Sequence, residues 1–128
     1  MPQYTMIVHS PAPADPMALS PEHLAALEAY PEQAKSLKGK VLGGNYFAKE
    51  RGFAFEPSTM TVTVAEGAIR EGTLTESKLV ACAVYVVAAP SMEVAARIAQ
   101  LHPAAREGAI EIHPVFKPVD LVQDDYAD

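Results

Sequence analysis

At 128 residues, 49% hydrophobic and 20% charged, the chain has the size and composition of one folded domain, which excludes a disordered segment. A formal net charge of −6, with no run of Lys and Arg, argues against nucleic acid and anionic membrane surfaces as partners. A single cysteine, Cys82, excludes an internal disulfide framework and a thiolate metal cluster.

Tyr4 to Val8 is a short apolar, β-prone run and predicts a strand. The proline-rich stretch Ser10 to Pro16 predicts a loop. Ser20-Pro21 then supplies an N-cap followed by proline at the first helical position. Leu24, Leu27, Ala34 and Leu37 recur at helical spacing, Pro31 is expected to kink or split the helix near Tyr30, and Gly39 to end it.

Val41 to Gly44 predicts a second strand, with Gly43-Gly44 a turn or bulge and not a phosphate loop. A loop with Gly52 and Pro57 follows. Thr59 to Val64 alternates as a half-buried strand does, and Glu66-Gly67 is a plausible hairpin turn into Ala68 to Gly72. Leu79 to Ala88 is apolar at both parities. Strict alternation would put Ala81, Ala83, Tyr85 and Val87 on one face and Val80, Cys82, Val84 and Val86 on the other. Cys82 in this run reads as a small buried hydrophobe.

Pro90-Ser91 opens a second helix with Val94, Ala95, Ile98, Leu101 and His102 on one stripe, Glu93 and Arg97 paired, and Pro103 as its stop. Ala109 to Val115 alternates again, Ile110 and Ile112 on one face, Glu111 and His113 on the other. The domain is expected over 1–116. The acidic tail 117–128 is either frayed or draped over a partner.

This order predicts an α+β fold of the ferredoxin-like β-α-β-β-α-β plan with an extra β-hairpin, an antiparallel sheet carrying two helices on one face. A strand apolar on both sides then needs cover on the other face, and a second copy of the chain is the economical source, giving a face-to-face homodimer with a cleft between the sheets. Met1-Pro2-Gln3 shows no basic n-region, and the longest apolar stretch, Leu79 to Ala89, is too short to span a bilayer. The expected location is therefore the cytoplasm, with no membrane partner.

Four stretches together resemble the YCII-related proteins, especially the branch with a DGPF motif. They are Ser20 to Leu27, Gly43-Gly44, Glu71 to Lys78, and His102 to Ala105 continuing through Gly108 to Val115. The resemblance covers Tyr4 to Phe116 and implies a dimeric α+β barrel and an enzyme of unassigned reaction, with His23 as the catalytic group. Two departures stand out: the name-giving Asp-Gly-Pro-Phe reads Glu71-Gly72-Thr73-Leu74, and the Asp-Pro that relatives carry after the second helix reads His102-Pro103.

His23 falls in the first turn of the long helix, where the positive end of the dipole disfavours imidazolium and leaves a ring ready to accept a proton; a capping or rim residue is the alternative. Glu71 or a second histidine such as His102 would orient it, although His102, at a helix end, also reads as structural. His9 ends the first strand, where a cleft or plain solvent would adjoin it. Glu111 and His113 form either an acid–base pair or an interface contact, and Tyr85 either a cleft wall or core packing. The histidines show no H-x-x-x-H or H-x-H spacing, so no metal site is expected, nor any cofactor.

Two functions fit. One is a small cofactor-independent isomerase, lyase or hydrolase-like enzyme acting on an unknown small molecule through His23. The other is a non-catalytic small-molecule-binding or protein-interaction dimer, in the manner of accessories to extracytoplasmic-function sigma factors that DGPF-type proteins resemble.

Overall fold

Large apolar side chains alternate along Gln3–Pro11, which forms strand β1 with Tyr4, Met6 and Val8 buried on one side. The computed structural model describes residues 1–11, 19–46, 62–72 and 78–116. β1 runs past the expected Val8. Ser10 and Pro11, expected in the loop, pair instead with Val80 and Leu79. Proline fits there because the last residue of a strand can do without its N–H. The remainder of that loop, 12–18, lies outside the described residues, as do Gly52, Pro57 and the tail 117–128.

Helix α1 spans Pro21–Ser36, opened as expected by Ser20, whose hydroxyl accepts the His23 N–H at 3.1 Å. The helix runs through Pro31 without splitting there. Pro31 is exposed, so solvent can serve the carbonyl that its missing N–H would have satisfied. The neighbouring Tyr30 is fully buried and clamps the helix by donating its hydroxyl to the Ile98 carbonyl at 2.8 Å. The helix also stops before Gly39. Lys38 takes the left-handed backbone, φ 67°, while Gly39 answers a packing demand: a Cβ there would lie 2.3 Å from Ile98 Cδ1.

β2 covers Lys40–Tyr46, with an extra residue, Leu42, between Val41 and Gly43. Val62–Ala65 (β3) and Ala68–Glu71 (β4) pair with each other in a separate two-stranded sheet across Glu66-Gly67; residues 59–61 of the expected strand lie outside the described residues. β5 covers Leu79–Ala88, α2 Met92–Leu101 and β6 Ala109–Pro114, with a single 3-10 turn at Pro103–Ala105 between the last two. Ser91 caps α2, and Arg97 pairs with Glu93 at 3.1 Å.

The main sheet is antiparallel throughout, in the order β2-β5-β1-β6. Both helices pack on the face of Tyr4 and Met6, with Tyr30 and Ala34 from α1 and Ala95, Ile98 and Ala99 from α2 joined in one core. The architecture is therefore α+β, with two helices on an open antiparallel sheet, an arrangement compatible with the ferredoxin-like plan.

Strict alternation fails in β5. The ladder with β1 skips a residue, so that Val8 faces Ala83 but His9 faces Ala81, leaving Cys82 as a bulge. The bulge reverses parity: Val80 and Cys82 join Ala83, Tyr85 and Val87 as buried residues, while Ala81 falls in with Val84 and Val86 on the far side. There Thr5, Ile7, Val84 and Val86 stay half-buried, outside the core clusters.

Candidate functional site

The cap and proline that start α1 fix its first turn, and with it His23. β2 ends at Tyr46, whose hydroxyl lies 2.9 Å from His23 Nε2. One hydrogen bond thus joins the start of a helix to the end of a strand.

His102 arrives from a third direction. α2 stops ahead of Pro103, because the residue before a proline is driven to extended backbone, and His102 has φ −68° and ψ 133°. Its ring turns back on the chain, and Nδ1 accepts the Ala104 N–H at 3.1 Å. The imidazole is only 1% exposed. Tyr30 and Tyr85 meet it edge-on, each with ring centres 5.0 Å away, and His23 stands 6.5 Å away. Tyr85 can lie here because Gly44 beneath it has no side chain; a Cβ on Gly44 would come within 2.5 Å of the ring.

A cleft of about 730 Å³ opens over these groups. His23, Tyr46 and His102 line it, with Ser10 from the end of β1 and Cys82 from the bulge. Burial governs its electrostatics. It lowers the basicity of His23, and burial together with neighbouring His23 brings His102 down to about 4. It also pushes the Tyr46 phenol well above its ordinary value, aided by Tyr85 and Cys82, and Tyr85 up to about 12. The Cys82 thiol is raised by burial, partly opposed by the Ser10 hydroxyl 3.3 Å away. At neutral pH these groups are all uncharged: two imidazoles, two phenols and a thiol. These groups can accept a proton at an imidazole and donate hydrogen bonds, while Glu22, Arg106 and Glu107 bring charge to the same cleft lining.

The sequence-predicted residues divide into two groups. His23, His102 and Tyr85 come together. His9, Glu111 and His113 meet one another on the opposite face of the sheet, where His9 Nε2 lies 2.8 Å and His113 Nε2 3.4 Å from the Glu111 carboxylate. These two contacts, that to His9 first, hold the exposed Glu111 carboxyl below its usual range. His9 therefore does not border the His23 cleft; its neighbour Ser10 does, since successive strand residues point to opposite faces. Glu71 closes β4, and its side chain lies outside the described residues. Burial and the neighbouring His23 leave His102 less basic than an ordinary imidazole, outweighing the gain that a helix C-terminus would give. Residues of a single chain line the His23 cleft. Among the described residues, no group of three or more His, Cys, Asp or Glu is placed to hold a metal ion.

Tyr46 is the residue that sequence reasoning missed. Its signal was modest: an aromatic residue in step with Gly44 at the end of a strand, just ahead of a loop. Compared with models of known protein families and with curated protein sequences, the chain matches none.

Proposed function

We propose that the chain is a YCII-like protein that binds a small organic molecule in the His23 cleft and moves a proton on it without a cofactor. The observation that carries this reading is the His23–Tyr46 hydrogen bond inside a concave site. A lowered basicity keeps His23 unprotonated, as a general base must be. The phenol of Tyr46 stays protonated, so the pair takes up one proton from a ligand and ends with positive charge on the imidazole. The motif around Ser20-Pro21 and the strand order support the family reading. The half-buried row Thr5, Ile7, Val84 and Val86 supports pairing with a second copy through the open face, in the dimeric α+β barrel manner.

The test is an NMR screen of small organic compounds for turnover, followed by variants of the pair. His23→Ala should lower any activity found by about 10²–10⁴-fold, the usual weight of a general base, with the fold intact by circular dichroism. Tyr46→Phe should lower it less. Full activity in His23→Ala would refute the reading.

A further inference from the structure

The least explained polar atom among the cleft-lining residues is His102 Nε2. The Ala104 N–H donates to Nδ1, so the neutral ring must carry its hydrogen on Nε2. That N–H is buried, and among the described residues no group accepts it. Leaving a buried donor unmatched is unfavourable. An exception of this kind calls for a specific reason, and a role in binding is one. The same residue lines the cleft that holds the His23–Tyr46 pair.

We propose that the His102 Nε2–H donates to the oxygen of a bound carbonyl compound, and that the substrates are carbonyl compounds that lose a proton from the carbon next to that carbonyl. The two imidazole centres are 6.5 Å apart. That separation leaves room for one small functional group to touch both rings. The proton-transfer half of the proposal rests on the reading of His23 and Tyr46 as the proton acceptor. The donor role of His102 does not.

The step balances within the site. The C–H bond beside the carbonyl breaks and its proton goes to the His23–Tyr46 pair. The electron pair of that bond forms the carbon–carbon double bond of an enolate. The carbonyl oxygen takes the negative charge and faces the Nε2–H. Return of the proton to the same carbon gives exchange or racemisation, and delivery to a conjugated position gives isomerisation. Neither needs an oxidant, reductant or second substrate. A neutral imidazole suits this role: fixed in one tautomer by the backbone, it polarises an oxygen without needing a proton from solvent. The burial that holds His102 neutral down to about pH 4 maintains the donor over the working range.

The experiment uses the full-length chain and two kinds of probe. The first is 4-nitrophenolate, a planar stand-in for an enolate, compared with nitrobenzene, which lacks the phenolate oxygen. At a pH where the phenol is ionised, 4-nitrophenolate should bind about tenfold more tightly than nitrobenzene. His102→Phe should abolish that preference, and His23→Ala should keep it. Long-range ¹⁵N NMR of the unaltered protein should show His102 protonated on Nε2, with that proton moving downfield when 4-nitrophenolate is added. This reading needs no variant to fold. The second probe is cyclohexanone in heavy water, where deuterium uptake beside the carbonyl should depend on His23 and fall about hundredfold in kcat with His102→Phe.

An unprotonated Nε2, or an Nε2–H that ignores 4-nitrophenolate because it points at the Tyr30 or Tyr85 ring, would overturn the donor role. His102-dependent binding without exchange would uphold the donor and remove the proton-transfer reading of His23. Exchange that needs His23 but is indifferent to His102 would do the reverse.

Discussion

His102 links the cleft to the stability of the whole chain. Its basicity falls from an ordinary 6.5 to about 4 on folding, through burial and then through His23. Above pH 6.5 the ring is neutral in both folded and unfolded chains, and the shift has no effect. As the pH drops below that value the unfolded chain takes up a proton first, and stability falls until the folded ring also titrates near 4. At about 1.4 kcal/mol per pH unit, the loss over this window is on the order of 3 kcal/mol. Denaturant titrations between pH 7 and 4 should show this slope in the unaltered protein and a shallower one in His102→Phe; equal slopes would mean that the ring is not buried neutral. At this scale the sequence was half legible. The cap and proline at Ser20-Pro21 marked His23 as a first-turn residue. Little marked Tyr46, because a lone tyrosine at a strand end carries no spacing signature. Nor did anything show that His102 would be boxed in by Tyr30 and Tyr85, which lie far from it in sequence.

The elements are held by their ends. Ser20 both starts α1 and fixes the backbone of His23 through one hydrogen bond. Ser20→Ala should therefore cost about 1 kcal/mol, read as a lower thermal midpoint, and should weaken any His23-dependent activity more than a substitution on the exposed face such as Glu28→Ala. If the two variants behave alike, the cap has no role in positioning His23. Strands with one apolar face were readable because alternation fixes their sides, as with Ile110 and Ile112 against Glu111 and His113. β5 was not, since a strand apolar at both parities carries no mark of where its ladder skips a residue. Pro31 misled for a different reason. The tertiary clamp of Tyr30 on Ile98 overrides a local helix-breaking preference, and single-chain periodicity does not contain that contact.

At the scale of the molecule, the sheet has one face closed by helices and one face left half-covered. Thr5, Ile7, Val84 and Val86 form the apolar part of the second face, and His9, Glu111 and His113 form its polar part. A homodimer through this face should appear in sedimentation velocity as a species of twice the chain mass, and Val84→Arg should shift it to monomer while circular dichroism stays unchanged. A monomer in the unaltered protein would refute the pairing. The helix-on-sheet architecture followed from the order of apolar runs, whereas the cleft within one chain did not, because it depends on where three element ends meet. β5 also carries one residue more than β1 needs between two correctly paired stretches, His9 opposite Ala81 on one side of the skip and Val8 opposite Ala83 on the other. A deletion elsewhere in a central strand would turn every following side chain over. Removing Cys82 would instead leave both stretches in register and straighten the ladder between them. The chain therefore holds a spare residue in the middle of its most buried strand, the one place there where its length can change without inverting the sheet.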